Sequence, residues 1–559
     1  MQASATRSAA WLLSAALAWG LLSPLKAETP ATGGLPPAAA PVVDPDTALR
    51  RGLDLERERN WQGALDVYDD AASQWPSRAE FGHRRRLCEI HQKLTKRYQD
   101  QSFRSVLLKL SHDKSLELYD EVLERIDSQY VDPVPVLPLL RRGLDNVEVA
   151  LRDPEFLSLN SPQMSREKID GLRSALRARR DHLTANDRLG ARAEADAACE
   201  IARTWLGIAP AAIVLEFIYG ACDALDDYTA CLTPDKLDDL YAMIDGNFVG
   251  LGVELKKDDS GLKLVGVIRG GPAWEAGIKV GDRITAIAGL SVKGQSLDQA
   301  ANRLQGNEGT SVELDLLRVD GSRKLLKLVR RPVEVESIAQ ARIVEPTLGI
   351  GYVQLTGFQK TSTEELEKAI ADLQKQGLRY LVLDLRGNPG GLLNVAVEMA
   401  DRFLGSGVIV STRGRAYGQT QVYQASGRPV WTFPMSVLVD RDSASASEIL
   451  AGALQELRRA TVVGERSYGK GSVQSIFSLR TVPAGLKLTT AKFYSPTKRA
   501  YSEQGVTPDV VVSVRARPVA DRTRDVETAT AASDFGQPDR DQVLSQAITQ
   551  ARRRLTAAR

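Results

Sequence analysis

Residues 443–454 read SASASEILAGAL: three serines spaced by alanines, then an acid, then an apolar run at helical spacing. A serine hydroxyl becomes a nucleophile only when a base takes its proton, and the commonest base is histidine. All four histidines (His83, His91, His112 and His182) fall in the first third of the chain, so a Ser-His-Asp triad built around these serines from their own region is excluded. A lysine can serve instead when desolvation lowers its pKa. Lys470 fits that need, because GERSYGKGSVQ (464–474) sets it between Gly469 and Gly471 just after a buried-type strand, where glycines let backbone approach and water be excluded. The same stretch nearly matches a phosphate-binding loop. That reading fails because Gly471 replaces the hydroxyl residue that holds magnesium, and because an alternating strand follows where a helix is required.

The elements that must position these groups are legible in outline. The chain has 559 residues, enough for several domains. Its 43% hydrophobic and 26% charged composition with a net charge of +2 is that of an ordinary globular protein, without the basic excess of nucleic-acid binders, so no nucleic-acid partner is expected. Arg7, the apolar run AAWLLSAALAWGLL (9–22) and small Ala27 predict a secretory signal over 1–27 and export to the periplasm or cell envelope. The run is short for a bilayer span, which leaves an uncleaved anchor as the weaker alternative. In an exported compartment the four cysteines can pair, Cys222 and Cys231 being nearest in sequence, or remain buried thiols; their spacing fits no common zinc pattern. Residues 28–46 are a Pro/Ala-rich linker. The spacing of Gly52, Trp61, Ala64, Tyr68, Ala71 and Pro76 predicts a helical hairpin over 47–79 that resembles part of one tetratricopeptide unit. Residues 80–243 read as helical, with a polar, Arg-rich insertion at 164–196.

From 245 to 335 short alternating runs predict a small β-rich domain. FVGLGVEL (248–255), GGPAWEAGIKVGDRITAIAG (270–289) and SLDQAANRL (296–304) resemble the carboxylate loop, the most typical stretch and the groove helix of a PDZ domain. The resemblance implies that Val249, Gly250, Leu251 and Gly252 offer backbone N–H groups to a peptide's terminal carboxylate while the peptide adds a strand. Residues 336–515 alternate strands and helices, which predicts an α/β core with a largely buried sheet, and 516–559 read as a polar linker and an amphipathic helix.

Taken in order, the PDZ-like domain, DLRGNPGG (384–391), SASASE and YGKGSVQ resemble the carboxy-terminal-processing proteases, the tail-specific Ser/Lys peptidases of the S41 type. The resemblance runs from about Leu116 to the final helix, and implies a multidomain fold with an α/β peptidase core of the ClpP/crotonase-like type. It also implies that Ser445 is the nucleophile, that Lys470, 25 residues later, is the base, and that Gln474 orients the lysine amine. The oxyanion hole would be the backbone N–H of Ala446 with that of Gly390 or Gly391. Ser443 is expected to cap the helix, with Ser447 and Glu448 in its first turn, and Asn388 and Pro389 are expected to shape their turn. The implied function is an exported serine endopeptidase that needs no cofactor or metal and acts on proteins with unstructured, apolar C-termini. The helical N-terminal region is then a site for an adaptor role or for homo-oligomers. The alternative is a non-catalytic PDZ and helical-repeat scaffold.

Overall fold

The computed structural model describes residues 44–161, 165–258, 261–293, 303–304, 306, 308–512 and 535–557. The predicted signal segment, most of the linker and most of the predicted groove helix lie outside them. Among the described residues no helix is long and apolar enough to cross a membrane. The chain divides into two compact units, one holding residues up to Asp235 together with 476–489, the other holding 236–475 and 490 onward.

The first unit is helical. Asp44 accepts from the backbone N–H groups of Asp46 and Thr47 at 3.0 Å each, and Pro45 presets the first helical φ, so the helix starts at Pro45 inside the predicted linker. Helices Pro45–Arg57 and Trp61–Gln74 form the predicted hairpin. A Cβ added at Gly52 would lie 2.3 Å from the Tyr68 ring, so only glycine allows the two helices to approach this closely. Phe81 and Cys88 of helix Ala79–Gln99 complete the small core around Tyr68, Ala64 and Ala71.

Two helices occupy most of the described part of the predicted insertion at 164–196. Helix Arg166–Asp181 buries Leu172 and Leu176, and helix Arg188–Leu206 buries the small stripe Ala191, Ala195, Ala198, Cys199 and Ala202. Arg173 and Arg177 pair with Glu148 of helix Val136–Ala150, so arginines of the stretch make ion pairs between helices, beside the local Arg152–Glu148 pair. All four cysteines are buried free thiols. Helix Pro210–Asp223, buried from Ala211 through Cys222, is the axis of the unit's core. Its Gly220 meets helix Val136–Ala150 backbone to backbone, since an added Cβ would stand 2.6 Å from Gly143 Cα. Residues 476–489 add Leu479, Val482, Leu486 and Leu488 to this core. There Glu121 accepts from the backbone N–H of Arg480 at 2.8 Å and of Thr481 at 3.0 Å.

The second unit holds two sheets that matter for function. In the β-rich domain, strands Val253–Asp258, Gly261–Val267, Arg283–Ile287, Ser311–Leu317 and Arg323–Val329 lie antiparallel in that order around Leu251, Leu264, Ile284, Leu314 and Leu316. Strand Asn247–Gly250 pairs with Arg331–Glu334 and brings the two ends of the domain together. In the α/β domain a six-stranded sheet runs in the order Ile338–Glu345, Ile350–Leu355, Tyr380–Asp384, Met435–Val439, Ala460–Gly464, Val510–Val511, parallel except for its first strand. YLVLD and MSVLV are buried at every position, the continuous apolar pattern of a sheet covered on both faces.

The predicted C-terminal helix is present as Gln542–Ala557, and packs Val543, Leu544, Ala547, Ile548 and Ala551 on Tyr352, Tyr380, Leu438 and Val463. Asp541 joins that helix to the sheet. Its carboxylate accepts from Arg386 Nη1 at 2.9 Å and Nη2 at 2.6 Å, while Arg386 also pairs with Asp384, all three buried. Replacing Gly220 by valine is expected to destabilise the chain by about 1–3 kcal/mol through forced overpacking. A urea unfolding midpoint equal to the wild type would contradict the close helix contact.

Candidate active site

Strand Met435–Val439 delivers the chain to a turn over 440–444 and then to helix Ala446–Glu456, with Ser445 at the N-cap. Ser445 holds φ +56° and ψ −113°, a conformation that L-residues resist and that costs about 1–3 kcal/mol. Strain of this kind lifts a side chain out of a strand-to-helix turn at the positive end of a helix dipole. The Ser445 hydroxyl is buried and makes no hydrogen bond among the described residues, so it is not bonded to Lys470 in this conformation.

Neighbouring loops hold the strained turn. Asp440 accepts from the backbone N–H of Gly387 and of Ser443, each at 3.0 Å. Ser443 was expected to cap the helix. It lies two residues too early, and its hydroxyl instead donates to the Leu385 carbonyl at 2.8 Å, tying the turn to the end of the neighbouring strand. Ser447 and Glu448 do fall in the first turn. Asn388 is the hinge of the glycine loop: its carbonyl accepts from Ala444 N at 3.1 Å and Ser447 Oγ at 2.9 Å. Its side chain donates to Leu355 O at 2.9 Å and accepts from Gly390 N at 2.8 Å. Gly390, at φ +103°, presses against the Ser445 turn, since an added Cβ would lie 2.7 Å from Ala444 O and 2.9 Å from both Ser445 Cβ and Ala446 N.

Lys470 is 4% exposed and Gln474 1%, both in the same stretch as predicted. The strand begins at Ser472, so Lys470 precedes it while Gln474 lies on it. Gln474 Nε2 donates to Ser472 Oγ at 2.9 Å. The glycines around Lys470 work by close approach, as their type predicts: a Cβ at Gly471 would stand 2.3 Å from Ser502 N, and Gly469 sits at φ +92° against Glu503.

One turn after Ser445, Glu448 is open from sequence to either a hydrogen bond near the site or a surface or dipole role; the structure gives it the first, and the extent of that role is what sequence reasoning missed. Glu448 is fully buried, and its carboxylate takes the backbone N–H of Ser445 at 2.8 Å and of Lys470 at 2.9 Å on one oxygen, and Gly469 N at 2.6 Å and Ser467 Oγ at 2.5 Å on the other. Burial pushes its pKa up to about 7, against the four hydrogen bonds that pull it down. The available signal was Ser445-x-x-Glu448, the spacing by which an N3 acid reaches back to the N-cap amide.

In the β-rich domain, Val249–Gly252 leads directly into Val253–Asp258, the end strand of its sheet, whose pairing lies with Gly261–Val267. Leu251 anchors this loop in the domain core, and Gly252 takes φ +74°. The Gly252 carbonyl accepts from Ile268 N at 2.9 Å.

Residues 349–512 match the family model for peptidase family S41, and residues 264–318 match that for the PDZ domain. The carboxy-terminal-processing protease of Bartonella bacilliformis is 40% identical over 301 residues, covering 53% of this chain and 68% of that protein. The chain belongs to this protease family. The carboxyl-terminal-processing protease of Synechocystis sp. is 36% identical over 291 residues, covering 51% of this chain and 68% of its own length. A solved structure titled photosystem II D1 C-terminal processing protease aligns at 26% identity with a TM-score of 0.39, over 71% of this chain and 93% of that one. This protein is therefore an S41 serine peptidase with a PDZ domain. In such a peptidase, Gly390→Ala is expected to lower turnover by about 100-fold, because the added methyl displaces the strained Ser445 turn. Turnover within a few-fold of wild type would mean that the contact is not part of the working site.

Proposed function

We propose that this peptidase is exported, captures unstructured apolar C-termini on its PDZ domain, and cleaves the bound polypeptide through an acyl-enzyme on Ser445. The observation that carries the reading is the junction of two loops at the ends of adjacent parallel strands, where a buried lysine and a strained N-cap serine are joined through one carboxylate. Lys470 takes the Ser445 Oγ proton as the oxygen attacks the scissile carbonyl carbon. Burial disfavours a charged amine, which supports a base that begins neutral. Gln474 orients that amine.

The tetrahedral oxyanion is held by Ala446 N, at the positive end of helix Ala446–Glu456, with one amide of the Gly390–Gly391 pair. Gly390 N joins only by releasing Asn388 Oδ1. As the intermediate collapses, the lysine returns its proton to the leaving amine, and water then cleaves the ester by the reverse sequence of transfers.

At the PDZ domain the amides of Val249, Gly250, Leu251 and Gly252 receive the terminal carboxylate, and the substrate pairs with strand Val253–Asp258. We read the α/β core as the ClpP/crotonase-like type. The hairpin of 47–79 is read as a tetratricopeptide-like element, supported by the close fit of Gly52 against Tyr68, that receives an adaptor, a substrate or a second copy. The exported location rests on Arg7, the run at 9–22 and Ala27.

On an unfolded reporter with an apolar tail, Ser445→Ala and Lys470→Ala are expected to fall to background while remaining folded; cleavage by either variant would sink the Ser/Lys mechanism. Amidating the reporter's C-terminus is expected to raise KM about 10-fold by removing the charge-assisted bonds to the loop. An unchanged KM would remove carboxylate capture from the reading.

A further inference from the structure

Glu448 is unexplained by helix electrostatics alone. A first-turn acid that only complements the dipole works from an exposed position with one backbone contact. This one is fully buried and takes four donors, two on each oxygen, from three places in the chain: the N-cap residue, the hydroxyl of Ser467, and the consecutive amides of Gly469 and Lys470. We propose that Glu448 is a positioning residue that fixes nucleophile against base by accepting the backbone N–H groups of Ser445 and Lys470 on a single carboxylate oxygen. The proposal rests on the reading of those two residues as nucleophile and base.

The geometry explains why a carboxylate is required. Ser445 begins a helix after strand Met435–Val439, and Lys470 sits in the loop that follows the adjacent parallel strand Ala460–Gly464. Sheet hydrogen bonds fix the strands but end before either functional residue. One oxygen bonded to both amides, at 2.8 and 2.9 Å, keeps the two backbones no farther apart than those bonds allow. The second oxygen braces the base loop from behind through Gly469 and Ser467, and Ser467 Oγ in turn accepts from Val506 N at 2.7 Å. Four donors need four acceptor sites, which an ionised carboxylate provides and a primary amide does not. Glutamine at this position must turn its NH2 either toward Ser445 N and Lys470 N or toward Gly469 N and Ser467 Oγ, and since only the hydroxyl can turn to accept, at least one backbone amide loses its acceptor. The Ser445 amide is also the one whose residue holds a positive φ, so its loss lets the turn relax away from the strained conformation.

The test compares full-length wild type, Ser445→Ala, E448Q and S467A on the same unfolded, apolar-tailed reporter, with kcat and KM separated and folding followed by circular dichroism. Folded E448Q is expected to lose about 100-fold in kcat with KM within about 3-fold, because ground-state binding survives while the reacting atoms separate. S467A keeps the carboxylate and both shared amides and is expected to lose about 10-fold in kcat at unchanged KM, the cost of one hydrogen bond to a charged group. A folded E448Q with wild-type kcat, or one whose loss appears in KM alone, overturns the proposal. Where E448Q fails to fold, S467A decides: a wild-type kcat overturns the proposal and the stated split supports it. A wild type inert on the reporter, or an active Ser445→Ala, overturns the nucleophile assignment itself and is recognised separately from any result at Glu448.

Discussion

The site depends on holding one non-glycine residue, Ser445, at positive φ where a fully buried strand turns into a helix. That conformation is costly, and it persists only because neighbouring backbone over-determines it. Asp440, Ser443, Asn388 and Ser447 bind the turn to the loop after strand Tyr380–Asp384, and Glu448 binds it to the lysine loop. Most of these contacts join a side chain to backbone, so the site is fixed mainly by where main chain is held, and the Ser445 hydroxyl makes no hydrogen bond among the described residues.

The loop on the other flank is braced from farther away. Arg386 stands at its start and is neutralised by Asp384 within the sheet and Asp541 before the C-terminal helix. A buried guanidinium is tolerable only when paired, and stripping one partner from such a group is strongly destabilising. The last helix therefore does more than cover an apolar face of the sheet, because Asp541 both caps it, through Leu544 N at 3.0 Å, and adds a second carboxylate to the Arg386 guanidinium beside the glycine loop. Tyr352 adds a hydrogen bond to Asp384 at 2.8 Å, so the network draws on two parallel strands and the C-terminal segment together.

Much of this was legible in the chain. Apolar runs such as YLVLD and MSVLV announce buried parallel strands, and the glycines of RGNPGG and YGKG announce backbone that must approach closely, as Gly390 and Gly471 do. Two kinds of feature were misread. Ser443 looked like a helix cap because a serine just before an apolar helical run usually is one, but the helix begins three residues later and the hydroxyl is used across strands. In the 164–196 stretch the helical period reads as interrupted because its arginines hide a sparse Leu172 and Leu176 stripe, and because ion pairs to Glu148 require a second helix that local periodicity cannot reveal.

The sequence by itself determined the chemistry on offer: three serines with no histidine nearby, a glycine-flanked lysine at a fixed interval, and an order of motifs that marks the family. Residue type and local period are properties of the chain, so they survive without a fold. Tertiary structure alone decided which serine carries the strained φ, that Ser443 stitches strands, and that Glu448 turns inward to take the amides of both Ser445 and Lys470. Those outcomes depend on which donors meet a buried acceptor, and the donors come from loops that the chain separates and only the parallel sheet brings side by side.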